Sequence, residues 1–553
     1  MSTKLRGLPA APGVASGAPW IYRPPETDGV ALRSITEAAE SAAAELERLA
    51  GRLRDDGRPD EAEILDAQAL MAIDPGLLGV AREREATGDI GPARAVVAAA
   101  EEVATAFEAL GDAILSARAA DVRDVGGRIA RHVSGAPAPR LSHRSIVVAT
   151  DLAPSVTVEL DRGLLAGIAL EGGSRTSHAA ILARALGIPA VVCVPRIVDA
   201  SATVTELAID GDAGVAVLDP DEQDRDRLAH AAALAAGRRS ADEAFRHGPL
   251  ETADGHRVHC VANIGHPDEA EPAFSGGAEG IGLFRTEFAF AGRAAAPTEV
   301  EQAEAYARVL RAAGAAEVVI RLADIGGDKP LPYVPIPSEA NPFLGVRAIR
   351  LMDTEPELYA TQVRAILRAS SAAQRPASIM APMVADEADV AAFRRLVDDA
   401  RAAIAGAPAP RVGIMVEIPS AVLLAEQLGA LVDFMSIGTN DLTQYLLAAD
   451  RTNPSLAGRQ DPLHPAVLRA IDGVVAGGRG RCAIAVCGEM AGDPIGALLL
   501  VGLGVDELSM DPTAFGRVKR AVRERSITDL GDLARRALQM SSAAQVRAMV
   551  TAT

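Results

Sequence analysis

Aromatic side chains make up only 3% of this 553-residue chain, while alanine and arginine abound, a bias of composition that carries no function of its own. Cysteine is scarce too. Cys193, Cys260, Cys482 and Cys487 are too few and too scattered for a disulfide framework, and no CxxC pair suggests zinc. A conspicuous cysteine here is therefore either chemical or simply buried. No apolar run approaches the roughly eighteen residues of a membrane span, so no membrane insertion is expected. The N-terminal stretch also lacks the long apolar core of a signal peptide, and a cytoplasmic location is the expectation. Positive charge is in deficit: the formal net charge of −19 disfavours nucleic acid as a partner and would attract a basic protein surface, such as a small basic carrier protein. With 49% hydrophobic residues burial is not limiting, and the length calls for several domains rather than one core.

What is present begins with Gly-Gly-Ser-Arg-Thr-Ser-His at Gly172 to His178, where a glycine-bearing loop runs into a helix. Ile181, Leu182, Ala185 and Leu186 make the following stretch a short amphipathic helix, stopped at Gly187 with Pro189 beyond, and Thr176 or Ser177 is the expected N-cap. Unpaired N–H groups and partial positive charge at a helix start stabilise a phosphate, so the spacing favours a phosphohistidine at His178. An isolated histidine near a helix start is ordinarily structural or solvated. None of the other eight histidines, however, has both a Gly-rich loop before it and a clean helix after it.

From about Thr36 to His132 the chain is almost all helix formers, broken at Gly57 to Pro59, Asp74 to Gly76 and Gly88 to Pro92, which predicts a helical bundle. Its flanks carry short β-rich runs such as Ser145 to Ala149 and Ala190 to Val194, so one α/β domain interrupted by an inserted helical one is expected, with Gly135 to Pro139 at the return. A charged helical stretch from about Asp221 to Arg246 reads as a linker, though a peripheral helix would look the same. After Glu251 strands alternate with helical segments. Eight apolar runs are present: Val258 to Ile264, Gly280 to Phe284, Val318 to Leu322, Ser378 to Met383, Val412 to Val416, Phe434 to Ile437, Ala483 to Val486 and Asp506 to Met510. The fold class expected is thus multidomain α/β, with a C-terminal (β/α)8 barrel whose site lies at the C-terminal ends of its strands.

The residues just after those runs are Arg285; Arg321, Asp324 and Lys329; Glu417; Asn440 and Asp441; Cys487 and Glu489. Arginine forks suit phosphate and carboxylate, and two carboxylates with few other ligands suit Mg2+, which takes its remaining oxygens from water and substrate. The pattern describes an anionic phosphorylated substrate held with a magnesium ion. Taken singly, an Arg or Asp after a strand is more often a cap or a surface pair.

The run Gly172 to Val192 resembles the phosphohistidine segment of the phosphoenolpyruvate-utilising enzymes, most of all the Enzyme I family of the sugar phosphotransferase system. Ser174 stands where that family usually has a second glycine. In the same order as in that family follow GIGLFRTEF (Gly280 to Phe288), IRLADIGGDK (Ile320 to Lys329), NPFLGVRAIR (Asn341 to Arg350), MVEIPS (Met415 to Ser420), SIGTNDLTQY (Ser436 to Tyr445) and CGEMAGD (Cys487 to Asp493). The resemblance implies phosphoenolpyruvate contacts at Arg285, Arg321, Asn440, Asp441 and Arg451 with Arg347 nearby, Mg2+ ligation by Glu417 and Asp441, and Cys487 as the acid that protonates the departing enolate. It further implies transfer through His178 to the phosphocarrier protein HPr, with release of pyruvate, and a homodimer formed through the barrel. The domains expected are 1–32 with 135–222 (phosphohistidine), 33–134 (carrier-binding insert), 223–250 (linker) and 251–553 (barrel and dimerisation).

A neutral imidazole is the nucleophile such a transfer needs, and an unperturbed histidine titrates near about 6.5. Because His178 and the barrel mouth fall in different domains, a swivel about Asp221 to Pro249 is expected. Two other readings compete. A phosphoenolpyruvate synthase or pyruvate phosphate dikinase shares both modules but needs an ATP-binding region, for which the insert has no glycine-rich phosphate loop. A non-catalytic scaffold has no use for His178, Glu417, Asp441 and Cys487 together.

Overall fold

The computed structural model describes residues 2–23, 31–55, 59–109, 113–173, 178–291, 293, 295–327, 331–336, 339–404, 406–451 and 453–552. The expected N-cap at Thr176 or Ser177, the altered Ser174 and Lys329 lie outside the described residues, as does the side chain of His178. The chain divides into two compact units, Met1–Gly237 and Arg238–Thr553. Among the described residues no single helix is long and apolar enough to cross a membrane.

In the first unit, strands β1 (Thr3–Arg6), β2 (Leu8–Ala11) and β3 (Val14–Ile21) precede a run of five helices, Ile35–Asp55, Pro59–Ala72, Pro75–Ala86, Pro92–Ala109 and Ala113–Ser134. Three of these helices open on proline, whose missing N–H costs nothing in a first turn, and Asp74 caps Pro75–Ala86 by accepting from the N–H groups of Gly76 and Leu77. After the helices come β4 (Ser145–Ala149), β5 (Leu165–Leu170), β6 (Ala190–Val192), β7 (Leu207–Asp210) and β8 (Val215–Leu218), in one sheet of order β1-β8-β7-β3-β4-β5-β6-β2. Strands β3 and β4 pair in parallel, with Ala18 opposite Ser145 and Ile21 opposite Val148, so the five helices intervene between neighbouring strands. Every residue of β4 and β5 is buried, as expected of a sheet covered on both faces.

The helices pack on a small-residue core that includes Ala38, Ala42, Leu46, Ala99, Ala100 and Ile129. At Gly126 a side chain is excluded: a Cβ there would lie 2.3 Å from Ala100 Cβ, so helices Pro92–Ala109 and Ala113–Ser134 approach closely at that point. Charge supplements this thin core. The buried Arg128 pairs with Glu45 at 3.1 Å and with Glu159, on helix Pro154–Glu159, at 3.0 Å. Glu45 also takes Arg131 at 2.6 Å and His132 Nε2 at 2.8 Å. Burial raises the Glu45 carboxyl, but the bond from His132 and the charges of Arg128 and Arg131 outweigh it and hold the group below the usual carboxylate range.

The second unit carries a short β9 (Leu250–Glu251) and then eight parallel strands: β10 (Arg257–Ile264), β11 (Ile281–Phe284), β12 (Val318–Arg321), β13 (Ser378–Ala381), β14 (Arg411–Val416), β15 (Phe434–Ile437), β16 (Ala483–Val486) and β17 (Glu507–Met510). They close into a barrel as β11-β12-β13-β14-β15-β16-β17-β10, with β10 pairing again to β11 and β9 an antiparallel extension of β10. All eight fall on the apolar runs expected. Leu283, Val319, Met380, Met415, Phe434 and Cys487 form a separate small apolar cluster contributed by several strands, which fits the packed interior of such a barrel.

Candidate active site

Parallel strands deliver their following residues to one end of the barrel, and there the polar side chains converge. Arg285 follows β11, Arg321 ends β12, Glu417 follows β14, Asn440 and Asp441 lie in the first turn of helix Thr439–Leu447 after β15, and Cys487 follows β16. These six, together with Arg451, Asp324 and Glu489, line one cavity of about 240 Å³. Arg347 does not line it. His178 belongs to the other unit, where it opens helix His178–Ala185.

Three of the arginines here, Arg321, Arg347 and Arg451, pair with particular carboxylates. Arg321 is buried and donates from Nη2 to Glu287 Oε1 at 2.7 Å, and the same oxygen accepts the Asp324 N–H at 2.8 Å. Arg321 Nη1 contacts Met415 Sδ at 3.5 Å. Burial disfavours its charge, yet Glu287, Asp324 and Glu417 more than offset that, so the guanidinium remains ionised. Arg347, 1% exposed, stands behind the wall: Nε and Nη2 grip Asp324 at 3.1 and 2.6 Å, and Nη1 reaches Asp441 Oδ1 and Tyr445 Oη, both at 3.2 Å. Arg451 Nη1 donates to the other Asp441 oxygen at 3.1 Å. The Gly326-Gly327 turn runs over this assembly with φ of 105° and 62°, and a Cβ at Gly326 would sit 2.7 Å from Val346 O and 2.9 Å from Arg347 Cα.

Glu417 is 1% exposed and accepts the Met383 N–H at 2.8 Å. Burial, then the charges of Asp441 and Asp324, push its carboxyl up to about 8 against the opposing Arg321 and Arg347. A carboxylate so placed is short of positive charge, and a bound cation would relieve it. Among the described residues no group of three or more His, Cys, Asp or Glu side chains is gathered for a metal. Two carboxylates beside a cavity nevertheless suit Mg2+, which keeps waters and accepts substrate oxygens. Each Asp441 oxygen spends one lone pair on an arginine and keeps another.

Cys487 is 2% exposed, its Sγ 3.7 Å from Ile437 O. Burial pushes the thiol above its ordinary range, more than the Arg321 charge pulls it down, so the proton stays on sulfur at neutral pH. Asn440 Oδ1 accepts the Glu489 N–H at 3.1 Å, which leaves its NH2 as the remaining donor. The arrangement can bind a small anion through its arginines, with the protonated Cys487 thiol lining the same cavity.

Sequence reasoning missed the supports. Glu287 sits inside the quoted GIGLFRTEF run, two residues beyond Arg285, and its place after a strand end was the available signal. Gln362 accepts the Ala323 N–H at 3.0 Å and donates to Thr286 Oγ1 at 2.9 Å; a polar residue on the buried face of helix Pro356–Ala372 was its signal. The Met383 N–H that fixes Glu417 comes from a residue at φ 58°, for which nothing in the sequence speaks.

Three family profiles match the chain: PEP-utilising enzyme, PEP-binding domain, over residues 239–527; PEP-utilising enzyme, mobile domain, over 141–214; and PEP-utilising enzyme, N-terminal, over 6–118. A multiphosphoryl transfer protein of Rhodobacter capsulatus is 44% identical over 522 residues, covering 93% of this chain and 62% of that protein. One of Xanthomonas campestris pv. campestris is 40% identical over 562 residues, covering 98% and 66%. A phosphoenolpyruvate-protein phosphotransferase of Haloferax volcanii is 41% identical over 502 residues, covering 89% of this chain and 87% of that one. The chain thus spans less than two thirds of the first two relatives and most of the third. It belongs to the phosphoenolpyruvate-utilising enzymes. Within them it falls in the family of the phosphoenolpyruvate-protein phosphotransferases.

Proposed function

We propose that the chain takes the phosphoryl group of phosphoenolpyruvate onto His178, releases pyruvate, and passes the phosphoryl group to a histidine of the small phosphocarrier HPr, as the first step of sugar uptake by the phosphotransferase system. The observation that carries this reading is the convergence of Arg285, Arg321, Asn440, Asp441, Arg451, Glu417 and Cys487 on one cavity. Arginine forks bind the phosphate and carboxylate of the substrate and oppose its charge while the bond to the leaving oxygen lengthens. Neutral imidazole of His178 supplies the electron pair that forms the new N–P bond, and the bridging P–O bond breaks towards the enolate. The enolate then takes the Cys487 proton at its methylene carbon, and the thiolate recovers a proton from solvent.

Glu417 and Asp441 would hold Mg2+, which when bound supplies charge neutralisation on the phosphate and the developing enolate. In this reading residues 1–32 with 135–222 carry the phosphohistidine, 33–134 dock the carrier, 223–250 are the linker, 251–553 bind substrate and form a homodimer, and the swivel falls about Asp221 to Pro249. The net charge of −19 supports a basic carrier surface as the partner. A cytoplasmic setting is part of the same proposal. The test is labelled phosphoenolpyruvate with Mg2+: acid-labile, alkali-stable label is expected on the wild-type chain and none on His178→Ala. Label reaching a carrier from the alanine variant would overturn the route.

A further inference from the structure

We infer that Phe343 is a positioning residue for substrate binding, its ring serving as a shared π platform for Arg347 and Arg451. The centroid of its ring lies 5.8 Å from Arg347 Cζ and 5.5 Å from Arg451 Cζ, within the range of cation–π attraction. The same two guanidinium groups divide one carboxylate between them, Arg347 on Asp441 Oδ1 at 3.2 Å and Arg451 on Oδ2 at 3.1 Å. Two like charges are thus brought side by side on one carboxylate, with Asp324 as a further counter-charge on Arg347. An aromatic face adds negative potential while occupying no lone pair of Asp441.

Phe343 is not needed where it stands for core packing. It lies in the short 3-10 turn Pro342–Leu344, is half-buried between two exposed neighbours, and takes no part in the hydrophobic core of the barrel. In a chain with only 10 phenylalanines, an aromatic ring held outside the core against two cations calls for another role. The ring's backbone is pinned: Tyr445 Oη donates to Phe343 O at 2.5 Å and accepts from Arg347 Nη1 at 3.2 Å. Phe343 does not itself line the cavity, whereas Arg451 does. Arg347 is buried and already engaged with Asp324, so it anchors the ring. Arg451, 27% exposed at its side chain, is the group whose plane the ring orients. Fixing that plane before the ligand arrives lowers the conformational cost of binding an anion.

This inference rests on the proposed reading of the cavity as the phosphoenolpyruvate site, and the test separates the two. Wild-type chain is first titrated with phosphoenolpyruvate and Mg2+, by calorimetry and by pyruvate release. An absence of binding there sinks the site reading itself. Given binding, Phe343→Leu is expected to raise both Kd and KM for phosphoenolpyruvate roughly tenfold, about 1.4 kcal/mol, with kcat changed less than about threefold. Phe343→Trp is expected to restore wild-type values. Pentafluorophenylalanine at position 343 keeps the volume and reverses the ring's electrostatic face, and is expected to match the leucine variant. That arm decides the question even if Phe343→Leu fails to fold. Wild-type Kd in the fluorinated protein, whatever leucine does, would reduce Phe343 to packing and overturn the inference.

Discussion

Replacing Arg347 by methionine removes the cation that holds two buried carboxylates together, and the loss can be sized from its bonds. Its guanidinium makes four polar contacts, two to Asp324, one to Asp441 and one to Tyr445, from a position 1% exposed. Methionine fills a similar volume, so the cavity term is small and the uncompensated charges dominate. Removing one partner of a buried pair costs about 3–5 kcal/mol. At roughly 2 °C per kcal/mol for a unit of this size, Arg347→Met should lower the melting temperature of the barrel transition by about 6–10 °C. Arg347 is also one of two cations opposing the rise of Glu417 to about 8, so its loss moves that carboxyl further up and the deficit should narrow as pH falls. The double variant with Asp324→Asn should lose less than the sum of the singles, because the second change removes a charge the first left unpaired. Calorimetric melts of the four proteins at two pH values make the test. A single variant melting within about 2 °C of wild type, or strict additivity in the double, would refute the claim that Arg347 neutralises this wall.

Two further outcomes follow from the same electrostatics. Glu417 has a folded pKa above its ordinary 4.5, at about 8, so the stability tied to its protonated form is complete below the lower value and lost as pH rises through the higher. Glu417→Gln, which mimics the protonated acid, should therefore gain on wild type between about pH 4.5 and 8 in denaturant titrations without Mg2+; saturating Mg2+ should cancel the gain, and parallel curves would count against the charge shortage. Cys487→Ala should bind phosphoenolpyruvate with little change in Kd while pyruvate release slows by roughly 10²–10⁴. Full-speed release would remove the thiol from the proton step.

The periodicities of the chain were strong where structure is local. Eight apolar runs of strand length, each followed by a helical segment, leave a parallel barrel as the economical solution, and each run is a strand. The breaks at Asp74 to Gly76 and Gly88 to Pro92 became helix starts because proline and a capping aspartate act through their immediate neighbours. Residues one or two places beyond a strand end were legible as site candidates for the same reason: a parallel barrel sends all such positions to one mouth.

Pairing across the mouth was not legible. Spacing distinguished neither Arg347 from Arg451 nor the wall from the support behind it, although one is sealed off and the other borders the cavity. The bond from Arg347 to Asp441 spans 94 residues, and that from Arg321 to Glu287 spans 34. What the order of amino acids determined alone was the succession of elements and the set of side chains delivered to the barrel end, since both depend on short-range stereochemistry and hydrophobic period. What only the tertiary structure decided was which carboxylate neutralises which arginine, how far burial lifts Glu417 and Cys487, and that one aromatic ring lies against two cations. Those are properties of distance and dielectric between segments remote in the chain, and no local pattern encodes them.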